Sequence, residues 1–247
     1  MAFHPRRVGT AGWAVPKANV EDVAAGQSGL ARYATGFDCA EINSTFKKQH
    51  RESTYARWAD TVPDTFRFAV KFPKVITHQR RLVGCRFEVD QWLRSIAPLG
   101  SKLGPLLVQL PPSLKFDATI ASEFFGGLIG STAAQIICEP RHATWFTSDV
   151  DEWLASIKVG RVAADPPIVP VAARAGGYLD FTYIRLHGSP RVYFSAYSEA
   201  DISRFAQQAQ GAPGEAWCIF DNTAASAAFG DALKLKGKLE RPVHTGQ

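Results

Sequence analysis

The sequence is short of the features that staple, anchor or metallate a chain. Its four cysteines, Cys39, Cys85, Cys138 and Cys218, are scattered, with no CxxC pair among them. Three of them lie in apolar, strand-like runs, a setting that suits reduced core thiols better than a disulfide framework or a metal cage. No apolar run approaches the roughly 18 residues that a membrane helix needs. The opening "MAFHPRRVGT" also lacks the apolar core of a signal peptide. A cytoplasmic protein without a membrane partner is therefore expected. No GxGxxG follows the first strand-like run, which argues against a dinucleotide-binding sheet. HxH and HExxH spacings are missing too, and neither a metal nor a cofactor is expected. There is no internal repeat, low-complexity tract or linker that would split the 247 residues, so one domain over 1–247 is expected. Charge is nearly balanced, with 28 basic against 23 acidic residues and a net charge of +5. That mild excess suits an anionic ligand and falls short of a dedicated nucleic-acid binder.

What is present is a rhythm. Short apolar runs recur at "RRVGTAGW" (6–13), "FDCAEINSTF" (37–46), "FRFAVKFP" (66–73) and "GPLLVQLPP" (104–112), then at "QIICEPRH" (135–142), "VGRVAADPP" (159–167), "FTYIRLHG" (181–188) and "EAWCIFDN" (215–222). Stretches with helical spacing lie between several of them, including "ESTYARWADT", "DQWLRSIAPL", "SDVDEWLASIK" and "SEADISRFAQQAQ". Ser148 with Asp151 and Ser198 with Asp201 have the spacing of helix N-cap pairs. Continuous apolar strands alternating with helices indicate a parallel sheet covered on its faces. Eight such units in about 250 residues predict an α/β fold, a single-domain (β/α)8 TIM-like parallel barrel. The segment "IVPVAARAGGYLD" has no helical pattern, so the sixth crossover is expected to be short or irregular.

Polar residues cluster at the strand ends. Glu41 and Asn43 end the second run, Lys71 the third and Gln109 the fourth. Glu139, Arg141 and His142 end the fifth, Asp165 the sixth, Arg185 and His187 the seventh, and Asp221 and Asn222 the eighth. In a parallel barrel these ends share the face where barrel enzymes place their chemistry. Alternation sends Phe66, Phe68, Val70 and Phe72 toward the helices, which turns Ala69 and Lys71 inward. The same phase brings Glu41, Asn43, Gln109, Glu139, Arg141, Tyr183, Arg185 and His187 inside, whereas Asp221 and Asn222 have opposite phases. Pairing Glu41, Glu139 and Asp165 against Lys71, Arg141 and Arg185 makes a set that neutralises itself and still holds fixed charges toward a ligand.

Seven motifs in order, "GTAGW", "EINSTF", "FRFAVKFPKVITHQRRL", "LLVQLPP", "EPRHATW", "TYIRLHG" and "CIFDNTAASAA", resemble the DUF72 (YecE-like) family from about residue 7 to residue 235. The resemblance implies a TIM-like barrel and supplies no reaction. Pro140 stands where the family's "EFRH" has Phe, Lys47 follows "NSTF" where an aromatic is common, and Asp221 replaces the first Asn of "FNN". The aromatic "FYP" element that usually follows "GTSGW" is missing after Trp13.

The leading expectation is an acid/base enzyme for an anionic small molecule, a phosphorylated or carboxylated sugar-like compound. Glu41, Glu139 and His187 are the candidate catalytic residues. Asn43, Lys71, Gln109, Arg141, Asp165, Arg185 and Asn222 are the candidate substrate-binding residues. A nucleic-acid-binding protein, with or without phosphodiester-directed chemistry, using the basic segment 74–88 is the alternative, with Trp13, Phe46 and Trp145 as stacking surfaces. A non-catalytic scaffold barrel is the third. The sequence does not fix the oligomeric state. An active site of this kind implies a hydrated mouth, in which Arg185→Met would cost less than about 2 kcal/mol, well under the loss from breaking a buried ion pair.

Overall fold

The computed structural model describes residues 4–240. Strands β1 (Arg6–Thr10), β2 (Cys39–Ile42), β3 (Arg67–Lys71), β4 (Leu103–Gln109) and β5 (Ile136–Glu139) are followed by β6 (Val159–Arg161) and β7 (Ala163–Asp165). The last strands are β8 (Gly176–Gly177), β9 (Phe181–Leu186) and β10 (Glu215–Phe220). The helices are α1 (Gly29–Gly36), α2 (Glu52–Thr61), α3 (Arg86–Ile96), α4 (Ala118–Ile129), α5 (Ser148–Ser156), α6 (Glu199–Gln210) and α7 (Ala227–Glu240). Ser198 and Asp201 form the expected capping box of α6. At α5 the cap lies one residue earlier than expected, where Thr147 accepts from the Val150 N–H. No α-helix joins β7 to β9; a short 3-10 helix (Pro170–Ala173) and the two-residue β8, antiparallel to β6, make that sixth crossover. Among the described residues, no helix is long and apolar enough to cross a membrane.

Regular pairing runs in two ladders, β1-β10-β9-β7 and β2-β3-β4-β5-β6-β8, parallel throughout except at β8. The ladders meet at two seams. At the first, β6 and β7 are halves of one strand split at Val162; β6 pairs with β5 and β7 with β9. At the second, a single bridge joins Ala11 to Glu41, and the Gly12 N–H donates to the Glu41 carbonyl at 2.8 Å. Gly9 permits this approach, because a Cβ there would lie 2.2 Å from the Cys39 carbonyl oxygen. The buried Tyr33 hydroxyl of α1 spans the same seam, accepting from the Thr10 N–H at 2.8 Å and donating to the Cys39 carbonyl at 3.0 Å.

Two separate apolar clusters follow from strand alternation. The larger lies between strands and helices and contains Phe66, Phe68, Val70, Phe72, Ile184 and Leu186. The smaller gathers inward residues from around the sheet, namely Cys39, Ala69, Leu107, Ile137, Val162, Tyr183, Trp217 and Ile219. A cluster drawn from so many strands forms only where a sheet curls around its own inner face, which makes this the bore of a β/α barrel. Trp217 fills much of that bore, stacked with Tyr183 at 6.2 Å between ring centroids. Gly104 makes room for it, since a Cβ there would meet the indole at 2.9 Å. All four cysteines are buried and free, with thiols pushed up by burial, to about 11 at Cys85 and about 12 at Cys218.

Candidate functional site

Above the Tyr183–Trp217 plug, the carboxyl ends of the strands hold a charged network. Its hub is Arg185 on β9, which is completely buried. The guanidinium grips Glu41 of β2 through two bonds, Nε to Oε2 at 3.0 Å and Nη2 to Oε1 at 2.7 Å. Nη1 reaches Glu139 of β5 at 3.0 Å, and Nη2 lies 2.9 Å from Asp221, just past β10. The Tyr183 hydroxyl donates to Glu41 at 2.9 Å. Three carboxylates on one guanidinium overcome its burial and hold Arg185 well above the ordinary arginine range. Burial pushes Glu139 upward, but Arg141, Arg185 and His187 outweigh it and hold the carboxyl well below the usual range. Asp221 is lowered in the same way, with Arg185 and then His187 overcoming burial.

His187 is buried between two of these acids, with Nδ1 3.1 Å from Asp221 and Nε2 2.9 Å from Glu139. Arg141 also lies 2.8 Å from Nε2 and donates to the same Glu139 oxygen. A proton on Nδ1 facing Asp221 leaves Nε2 free to accept from Arg141; a second proton on Nε2 is held by Glu139. The ring can therefore exchange one proton while both of its neighbours stay in place. Tyr193 covers it edge-on, with ring centroids 5.8 Å apart.

Two further cations adjoin this network. Arg141 is half-buried, and its Nε–H is buried without a hydrogen-bond partner. Lys71 ends β3 with its ammonium over the Phe46 ring, 4.4 Å from the centroid. Burial, reinforced by Arg185, brings the Lys71 amine down to about 8. Asn43 lies at the edge, its amide donating to Asp221 across a long 3.4 Å. Gln109 is half-buried beside Glu139 in the β4–β5 ladder.

The sequence reading requires three corrections. Asp165 does not join the network. Its register partner is Leu186, an outward residue, and its carboxylate pairs with Arg204 of α6 at 3.2 Å. Asn222 also turns away, donating to the Ser195 carbonyl and to Asp231 of α7, both at 2.9 Å. Asp221 is the inward residue of that pair. The sequence hides this because both faces of β10 are apolar, Ala216, Cys218 and Phe220 on one and Trp217 and Ile219 on the other. Finally, Arg185 is sealed in the floor rather than set in a hydrated mouth, because the aromatic plug lies beneath it and Arg141, His187 and Lys71 surround it.

Other expected participants are occupied elsewhere. In the basic segment, Arg80 pairs with Glu88, Arg81 bonds Ser113, and Arg86 pairs with Asp90. Trp13 packs edge-on against Trp58 and Phe68, and the buried Trp145 donates its indole N–H to the Leu114 carbonyl.

Comparison with known proteins agrees with this fold. A family model described as "Protein of unknown function DUF72" matches residues 7–246. The UPF0759 protein YecE of Escherichia coli K12 is 35% identical over 104 residues, a stretch covering 42% of this chain and 37% of that relative. The chain thus spans little more than a third of the curated relative that it matches. A DUF72 family protein from Thermotoga maritima superimposes with a TM-score of 0.78 at 25% identity, over 96% of this chain and 100% of that one. Another from Enterococcus faecalis gives 0.79 at 19% identity over 96% of both chains. A sugar phosphate isomerase/epimerase from Parabacteroides distasonis shares the fold more distantly, with a TM-score of 0.56 and 12% identity over 98% of each chain. The chain belongs to the DUF72 family of β/α barrels.

Proposed function

We propose that the protein is an enzyme that binds a small anionic molecule at the carboxyl-terminal mouth of its barrel and moves a proton on it. The observation that carries this reading is the unpaired Nε–H of Arg141, buried beside the His187–Glu139 pair. A buried charged donor without a partner is costly, and an anionic ligand oxygen would satisfy it. In this reading Arg141 and Lys71 hold the anion, with Asn43 and Gln109 at the edge of the pocket. His187 exchanges the proton, while Asp221 and Glu139 fix its orientation. Glu41 and Arg185 hold Glu139 in place from beneath. The nucleic-acid alternative draws less support, because Arg80, Arg81 and Arg86 already have partners.

Thermal melts in phosphate or sulfate test the reading. A ligand at ten times its Kd stabilises by about 1.4 kcal/mol, which raises the Tm of a chain this size by roughly 3–6 °C. Arg141→Met should abolish that rise. An unchanged rise in the variant, or none in the parent protein, would leave a scaffold barrel as the better description.

A further inference from the structure

We propose that Lys71 is a nucleophile whose amine condenses with the carbonyl group of a small anionic aldehyde or keto acid, forming an imine at the barrel mouth. The inference rests on the ligand-binding reading above only for the anionic part of the substrate, which Arg141 would hold. Three observations support it. First, among the described residues Lys71 forms no ion pair, although Glu41, Glu139 and Asp221 lie in the same network, because all three carboxylates are taken up by Arg185. Second, the side chain is only 6% exposed and stands at the carboxyl end of β3, with its amine against the face of Phe46, 4.4 Å from the ring centroid. Third, the groups around it favour the neutral form on balance. Burial and Arg185 oppose the ammonium more strongly than Glu41, Asp221 and Glu139 support it, and the neighbouring His78 adds no negative charge. A desolvated lysine beside a fixed cation, on the face where a barrel binds its ligand, is a recognised route to an activated amine.

The step balances without a redox partner. The neutral nitrogen adds its lone pair to the carbonyl carbon, and the C=O π pair moves to oxygen, which takes a proton. The nitrogen loses a proton to give a carbinolamine. Protonation of the hydroxyl, by water or by His187, releases one water and leaves the C=N bond.

The test uses glyoxylate as the carbonyl probe, with sodium cyanoborohydride to trap the imine, and peptide mass spectrometry to locate it. With an amine near 8 against an ordinary lysine at 10.5, the free-amine fraction at pH 7 is roughly 300-fold higher. Lower intrinsic nucleophilicity and a confined approach offset part of that. Lys71 should therefore be labelled at least about tenfold faster than the exposed Lys47, Lys48 and Lys74. Its labelling should level off above about pH 8, while theirs keeps rising toward pH 10. Labelling of Lys71 no faster than that of the exposed lysines overturns the proposal, and it does so in the parent protein, whether or not Lys71→Met folds. Phosphate-induced stabilisation separates the two readings. If phosphate stabilises but Lys71 is not selectively labelled, imine formation fails and anion binding stands. If Lys71 is labelled without phosphate stabilisation, the nucleophile stands and the anion reading fails.

Discussion

Arg185→Met is the most informative perturbation of the network, because it removes the hub and leaves its partners. Methionine has nearly the length of the aliphatic stem, so packing around Tyr183 is largely kept. What is lost is one guanidinium that makes contacts of 2.7–3.0 Å with three carboxylates, none more than 5% exposed. Breaking a single buried pair costs about 3–5 kcal/mol, because the surviving charge is stranded. Here Glu139 keeps Arg141 and His187, and Asp221 keeps His187, so Glu41 is the stranded acid. Among the described residues its side chain retains only the Tyr183 hydroxyl as a hydrogen-bond partner. The expected loss is therefore about 4 kcal/mol at pH 7.5, a fall of roughly 8–16 °C in Tm. The pH dependence supplies an independent sign. In the parent protein Glu139 and Asp221 have folded values below their unfolded ones. Their contribution is fully present above the unfolded carboxylate range and is lost as pH falls through the folded values. In the variant the part of that depression owed to Arg185 is removed, most of all at Asp221, so the cost of the substitution should shrink between pH 7.5 and pH 5. Urea denaturation at both pH values measures this. A loss below about 1.5 kcal/mol at pH 7.5, or a loss that grows on acidification, would refute the view that Arg185 carries the network's buried charge.

The remaining predictions address the edges of the site. Asp165→Ala should cost less than about 1 kcal/mol in urea melts, because the ion pair it breaks with Arg204 is partly exposed. It should leave phosphate stabilisation intact, and loss of that stabilisation would return Asp165 to the ligand site. Purified protein should hold no stoichiometric divalent metal, since Arg185 already occupies oxygens of Glu41, Glu139 and Asp221. About one Zn, Mn or Fe per chain by elemental analysis, lost on Glu139→Gln, would overturn this.

The legibility of the sequence followed the contrast between strand faces. On β3, bulky Phe66, Phe68, Val70 and Phe72 alternate with small or polar residues, and the inward placement of Lys71 could be read directly. On β9, Ile184 and Leu186 set the phase for Tyr183, Arg185 and His187 in the same way. The contrast vanishes on β10, where both faces are apolar, and on the broken strand β6–β7, where Val162 faces the bore and Ala163 the outer core. Asp221 was missed at the first place and Asp165 misplaced at the second. The depth of Arg185 was hidden for a different reason. It depends on how far Trp217 and Tyr183 fill the bore beneath, a packing fact that no single strand's periodicity encodes.

Replacing Asp165 by Asp221 leaves the balance of the site unchanged but alters its geography. Three acids still face three cations, yet all three acids are tied to one buried arginine. Had the charges paired one to one, each cation would have been spent and the mouth would be electrically inert. Because Arg185 answers Glu41, Glu139 and Asp221 together, among the described residues Lys71 has no ion pair and Arg141 keeps an unsatisfied N–H. The neutral total is therefore layered, with the three carboxylates gathered on Arg185 in the floor and Lys71 and Arg141 beside them. On the proposed reading such a layer would draw in an anion from above, while the floor beneath stays fixed and needs no rearrangement when the ligand arrives. The stability of the barrel end and the polarity of its mouth thus have one cause, the gathering of three carboxylates on Arg185.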